Sequence, residues 1–349
     1  MTSTNHELKY EEIAKLAQRY LSLRPVVVLG TGTTIPHGLP SMAALADKLL
    51  AITTDIPEGW EAFASRLGYT KDLEQTLQDV NIPQGVLERL VRETWKFISD
   101  KDIKFYQQLL VNRSDFPLSD LFAYLLRTAD AHIRVVTTNY DRVAEYAANV
   151  VRAYASTGIT AGWIQRFVST SVNNERMPAP GYEGQVTILK VHGSLDWFRD
   201  GTGELVAIPL AQEVPDGMTP LIVTPGASKY REVQKDPFRT IMSVADDVLK
   251  HAACYVCIGY GFNDDDVQPI LINRVKRENI PLVIITKTMT TQTRDAFLAG
   301  PPRHFLFAEE ASEGTRVYTP DTPGGVVLPG IHVWRLQDFM EMITGEEGS

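Results

Sequence analysis

"VVVLGTGTTIPHGLP", Val26–Pro40, sets a run of β-branched residues against a turn that carries three glycines, Gly30, Gly32 and Gly38. An apolar run with no polar residue inside it predicts a strand covered on both faces, because a half-exposed strand would alternate. Gly30 and Gly32 let the backbone turn tightly and approach a ligand with no Cβ in the way. A helical pattern, "MAALADKLLAI", follows from Met42. Free amides at a helix N-terminus, together with the local dipole, suit a diphosphate. The dinucleotide fingerprint is incomplete, however: it expects a third glycine where Ile35 stands, and the next one is Gly38. Taken alone, the turn fits a plain strand-to-helix connection as well as it fits a nucleotide loop.

Outward from this stretch, four more continuous apolar runs appear: "IRVVTTN" at 133–139, "VTILKVHG" at 186–193, "YVCIGYG" at 255–261 and "PLVIIT" at 281–286. "PLIVTPG", 220–226, is a further strand candidate. Helical patterns separate them, among them "DRVAEYAANVVRAY" after the second run and "DPFRTIMSVADDVLKHA" before the fourth. Crossovers of this length predict an α/β fold with a Rossmann-like, doubly wound parallel sheet. Residues 55–130 carry only helical patterns and are expected to form a helical insertion. "TSVNNERMPAPGYEG", 170–184, has the character of a polar loop, and the tail past 300 that of loops, one short strand and a final helix. The expected division is a catalytic domain over 1–300 and a C-terminal extension, 301–349, packing on it.

Composition narrows the function classes. The chain has 349 residues, 44% of them hydrophobic, enough to bury a full core. Its net charge of −9 supplies no global basic field for nucleic acid or anionic lipid, so any phosphate must be held locally. A polar start and the absence of a long apolar run predict a cytoplasmic protein with no membrane contact. Cys254 and Cys257 have C-x-x-C spacing, but a three-residue offset in a strand puts the thiols on opposite faces. They are expected to be small buried residues, with no metal site and no zinc.

In doubly wound sheets ligands sit beyond the carboxyl ends of the strands. The second run ends in Asn139 and Asp141, the third in His192, and the fourth in Gly259, Gly261 and Asn263. Each has a structural alternative. Asn139 or Asp141 could cap the following helix, His192 could be a turn histidine, and "NDDDVQ" reads first as a helix cap.

These residues together resemble the sirtuin superfamily, and specifically its bacterial sirtuin-like NAD hydrolases of antiphage defence. Sirtuins carry G-A-G-x-S-x-x-x-G-[IL]-P after the first strand; here Gly30, Thr31, Gly32, Thr33 and Thr34 are followed at matching spacing by Gly38, Leu39 and Pro40. Their Q-N-x-D segment resembles Thr138–Asp141, their H-G dipeptide falls at His192 and Gly193, and "CIGYGF" sits where their second glycine turn lies. Two features depart: the four-cysteine zinc ribbon of protein deacylases is absent, and Ser41, Met42 and Ala43 replace Asp-Phe-Arg.

The resemblance implies an NAD+ glycohydrolase that releases nicotinamide and ADP-ribose, with NAD as substrate. It assigns Asp141 to the nicotinamide carboxamide, Asn139 to a water or ribose hydroxyl, and His192 to the role of general base. It implies a diphosphate cradle of Gly30, Thr31, Gly32, Thr34 and Gly38, with Gly259, Gly261 and Phe262 around the adenosine. It further implies a homo-oligomer switched by a partner protein, a HerA-family ATPase or alternatively an Argonaute-type protein, with no direct nucleic-acid binding. A protein deacylase and a non-catalytic NAD- or ADP-ribose-binding module are the alternatives.

Overall fold

The computed structural model describes residues 2–71, 73–79, 82–113, 115–173, 181–223, 235–264 and 267–345. The "VVVL" run forms β1 (Val26–Leu29), buried along its whole length. Its side chains alternate between two cores: Val27 and Leu29 enter one, Val26 and Val28 the other. The run is uninterrupted because both faces are covered.

β1 lies near the middle of a nine-stranded sheet. It pairs in parallel with β2 (His132–Thr137) on one side and with β9 (Tyr255–Ile258) on the other. Beyond β2 come β5 (Gly184–Lys190) and the edge strand β3 (Ala153–Ser156), both parallel. Beyond β9 come β10 (Leu282–Ile285) and β11 (Phe305–Ala311), also parallel. The chain therefore winds outward from β1 through β2, then returns to start the other half at β9. The crevice between the β1 and β9 turns is the switch point where such sheets hold ligands.

Helices cover both faces. α1 (Thr2–Leu21), α6 (Pro117–Leu125), α7 (Val143–Val150) and α11 (Leu336–Thr344) share the core of Val27. α8 (Phe238–His251), α9 (Gln268–Arg277) and α10 (Thr291–Phe297) share that of Val28. Cys254 falls in the first core and Cys257 in the second, both fully buried, so the two thiols do lie on opposite faces. Burial raises both, the Cys254 thiol to about 12. Among the described residues no helix is long and apolar enough to cross a membrane.

The 55–130 stretch is helical: α3 (Trp60–Thr70), α4 (Leu73–Asp79), the long α5 (Gln84–Val111) and α6. With α2 (Met42–Leu50), α3 and α4 and the start of α5 build a separate core around Trp60, Phe63 and Leu90. The middle of α5 packs Trp95 against Phe198 and donates its indole N–H to the Leu195 carbonyl at 2.8 Å.

Three expectations change. The helical pattern running to Tyr154 stops at Val150; Arg152 turns left-handed (φ 57°) and the chain leaves as β3. The "PLIVTPG" candidate forms β8 (Thr219–Ile222), but in a second, antiparallel sheet with β4 (Gln165–Arg166), β6 (Gly193–Arg199) and β7 (Leu205–Ala207). The tail is not mainly loop: β11, β12 (Gly314–Thr319) and β13 (Thr322–Pro329) extend the main sheet, the last two antiparallel. Pro323, Gly324 and Gly325 read as loop punctuation, yet β13 is an edge strand, where such residues are tolerated. The parts of the 170–184 loop and the 220–226 run that fall in 174–180 and 224–226, and the acids 265–266, lie outside the described residues.

Candidate functional site

The strand ends are stitched to one another by hydrogen bonds. Asn139 Nδ2 donates to the Gly30 carbonyl at 3.1 Å, and Thr137 Oγ1 donates to the Leu29 carbonyl at 3.1 Å. On the other side the Gly30 N–H reaches the Ile258 carbonyl at 3.1 Å and the Gly32 N–H the Gly259 carbonyl at 3.0 Å. A Cβ on Gly32 would come within 2.7 Å of Gly259 Cα; one on Gly259 would come within 2.3 Å of Gly32 C and Thr33 N. Gly259 also holds a left-handed φ of 54°. The two glycine turns therefore interlock backbone to backbone, which no larger residue permits.

The turn leads into two short 3₁₀ segments, Thr31–Thr33 and Ile35–His37, before α2 begins with Ser41 as its cap. The amides of Gly30 and Gly32 are taken by β9, and that of Thr34 by the Thr31 carbonyl at 3.0 Å. The first two tie the turn to the β9 end and the third closes the turn on itself.

A cavity of about 850 Å³ opens over these turns. That falls within the roughly 300–1,000 Å³ of small-molecule sites. Gly30, Thr31, Gly32, Thr34, Asn139, Asp141, His192, Gly259 and Gly261 all line it. Two expected residues do not. Gly38 ends the second 3₁₀ segment in a left-handed turn (φ 84°), away from the wall. Phe262 is fully buried and stacks edge-on against Tyr260 and Phe297, so its ring packs the core instead of bordering a ligand.

Asn139 is 5% exposed, and its Oδ1 has no hydrogen-bond partner among the described residues. Asp141 accepts the Val143 N–H at 3.2 Å, so the capping alternative is partly realised, yet the residue also lines the cavity. His192 sits between β5 and β6, with its carbonyl accepting from the Val223 N–H at 2.8 Å. The next residue, Gly193, has φ 93°, and a Cβ there would strike the Leu221 carbonyl at 2.2 Å. The H-G pair is thus the hinge between the two sheets. His192 Nε2 lies 2.9 Å from Asp264 Oδ2.

Beneath the site is a buried charge cluster. Lys190 donates to the Asp141 carbonyl and pairs with Glu145 at 2.9 Å. Burial pushes the Glu145 carboxyl up, against the pull of Lys190. Burial likewise pushes Asp141 up to about 7, with Lys190 opposing and Asp102 adding to the rise. An acid raised from its ordinary 3.8 binds more protons folded than unfolded between pH ~4 and ~7, so stability falls as pH rises through that window. Asp141→Asn is therefore expected to match the parent near pH 4 and to exceed it increasingly up to pH ~7, read as the urea midpoint across pH. An unchanging difference across that range would refute the assignment.

Sequence reasoning missed several wall residues. Trp334 and Arg335 arrive from the tail, Lys287 from the end of β10, and Asp115 from the insertion. His37, also on the wall, packs between Phe105 and Phe116, and burial lowers its pKa. Asp264 was legible only as a cap; its Oδ1 accepts the Val267 N–H at 3.2 Å, but Val267 itself is the N-cap of α9. Among the described residues no cluster of three or more His, Cys, Asp or Glu could hold a metal ion.

The model of the SIR2-like domain family matches residues 133–317, a span that holds Asn139, Asp141, His192 and the Gly259 turn. No curated protein matches the sequence. A Sir2 enzyme structure addressing mechanism and regulation is 16% identical, covering 96% of this chain and 99% of its own, with a TM-score of 0.47. A Sir2 homologue in complex with ADP-ribose is 12% identical, covering 95% and 99%, also at 0.47. A Sir2 structure with a propionylated peptide is 14% identical, covering 76% and 82%, at 0.39. With the family model spanning more than half of its length, the chain belongs to the SIR2-like domain family.

Proposed function

We propose that the protein is an NAD+ glycohydrolase that cleaves the nicotinamide–ribose bond with water, and that it does so without an acyl-lysine substrate. The observation that carries this reading is the unpartnered Asn139 Oδ1, held on the same cavity wall as Asp141 and His192. A buried acceptor left without a donor costs about 1–3 kcal/mol. A ribose hydroxyl or water is the donor it fits.

Cleavage passes through an oxocarbenium-like centre, with the C1′–N electron pair leaving on nicotinamide. In this reading Asp141 accepts from the carboxamide, Asn139 orients the water, and His192 takes the water's proton as its oxygen bonds to C1′. The diphosphate falls to the cationic wall residues Lys287 and Arg335 together with Thr31, since the amides of Gly30, Gly32 and Thr34 are occupied. As a defence effector the protein would stay silent until it assembles, as a homo-oligomer or with a HerA-family ATPase or an Argonaute-type partner.

The test is nicotinamide release from NAD+, measured with and without each partner and with and without an acyl-lysine peptide. Release in the absence of peptide is expected. Strict dependence on peptide would assign a deacylase, and binding without turnover in every arm would assign a regulatory module.

A further inference from the structure

His192 and Asp264 reach the cavity from different loops, the first between β5 and β6 and the second between β9 and α9. Their side chains are 13% and 10% exposed, and Nε2 stands 2.9 Å from Oδ2. The approach is a close contact rather than an aligned hydrogen bond, since Nε2 has no hydrogen-bond partner among the described residues. A carboxylate oxygen 2.9 Å from Nε2 favours the proton on that nitrogen whatever the angle of approach. The carboxylate is anchored independently of any ligand: Oδ1 accepts the Val267 N–H at 3.2 Å, and the Asp264 carbonyl accepts the Gln268 N–H at 3.1 Å.

An imidazole has one donor and one acceptor nitrogen when neutral, and the group facing one nitrogen decides the role of the other. We propose that Asp264 is the positioning residue of His192, holding the proton on Nε2 so that Nδ1 is the basic nitrogen. The proposal rests on the reading of His192 as general base in glycosidic cleavage. In that step the water proton passes to Nδ1, the water oxygen bonds to C1′, and nicotinamide leaves with the electron pair. The resulting imidazolium is stabilised by the Asp264 carboxylate, and the proton is released to solvent after the products leave.

Asp264→Asn separates this role from the turn bond to Val267. Asparagine accepts such a bond as aspartate does, so Oδ1 can keep Val267 while Nδ2 now faces His192. That NH₂ is a donor, and it selects the opposite tautomer, with the proton on Nδ1. The first readout is the ring ¹⁵N shifts of His192 in the unliganded protein, identified by their loss in His192→Gln. Proton on Nε2 in the parent and on Nδ1 in the variant is expected. The second is turnover, with kcat expected to fall about 10²- to 10⁴-fold and KM to stay within about threefold. Asp264→Glu, which keeps the carboxylate, should recover part of kcat.

An unchanged tautomer in Asp264→Asn overturns the proposal, even if activity falls, and an inverted tautomer with full kcat overturns it equally. Because the tautomer is read without turnover, a parent protein that releases no nicotinamide would sink the glycohydrolase reading alone and leave the pairing to be judged by the ¹⁵N shifts.

Discussion

Replacing His192 by Ala is expected to lower nicotinamide release by about 10²- to 10⁴-fold, the range for loss of a positioned general base. The fold should survive. His192 lines a cavity rather than filling a core, and its structural hydrogen bond, from Val223 N–H to its carbonyl, uses backbone that alanine retains. Gly193, which the hinge does require, is untouched. The loss should therefore appear in kcat with little change in the denaturation midpoint. Asn139→Ala should lose turnover similarly but also some stability, because its Nδ2 ties the β2 loop to the Gly30 carbonyl. Near-parental release by His192→Ala would mean that another group takes the proton, with His37 the other histidine on the wall.

The contrast between these two residues shows what the sequence could and could not convey. Five of the parallel strands, β1, β2, β5, β9 and β10, were legible because burial on both faces leaves mostly apolar runs. Polar residues at the ends of those runs were legible for the same reason, which is how Asn139, Asp141 and His192 stood out. The antiparallel strands left weaker signatures. β4 has two residues and β7 three, and β13 carries the proline and glycines of an edge.

Wall residues delivered by other elements were invisible in the chain. Trp334 and Arg335 lie far from the glycine turns in sequence and approach them only because the tail strands add to the sheet and carry the chain back before α11. Asp264 was hidden among the acids before a helix, where a turn residue and a histidine partner look alike in one dimension. The glycines carried an ambiguous message too. Their spacing marks a close approach, but the approach is between two protein turns, and only the fold reveals which backbone they admit.

Asp102→Ala is expected to destabilise the protein by about 3–5 kcal/mol, the cost of breaking a buried ion pair by deleting one partner. Asp102 lies on α5 with no exposure, and nothing in "ISDKDIKF" distinguishes it from its solvated neighbours. Its Oδ1 accepts the Arg142 N–H at 2.8 Å, while Oδ2 accepts Arg142 Nε at 2.8 Å and the Tyr146 hydroxyl at 2.6 Å. Arg142 extends the cluster to Asp196 on β6 at 2.6 Å. Against the cost of burial, Asp196 and Asp102 hold the Arg142 guanidinium protonated beyond its ordinary range.

The cluster joins the helical insertion, the antiparallel sheet and the residue next to Asp141. Deleting Asp102 would leave a buried cation with a single partner, an N–H and a hydroxyl without acceptors, and a site loop freed from α5. Stability and turnover should fall together. The double variant Asp102→Leu with Arg142→Met distinguishes this account from simple loss of packing. The second substitution removes the buried cation that Asp102→Ala leaves poorly paired, so the pair should recover part of the lost stability, the part still missing being the Tyr146 hydroxyl, the residue-142 N–H and Asp196 left without their partners. Turnover should not return, because the loop that carries Asn139 and Asp141 would still lack its anchor. Additive destabilisation in the double variant, or recovered stability with recovered turnover, would show that the cluster neither acts as one unit nor positions the site.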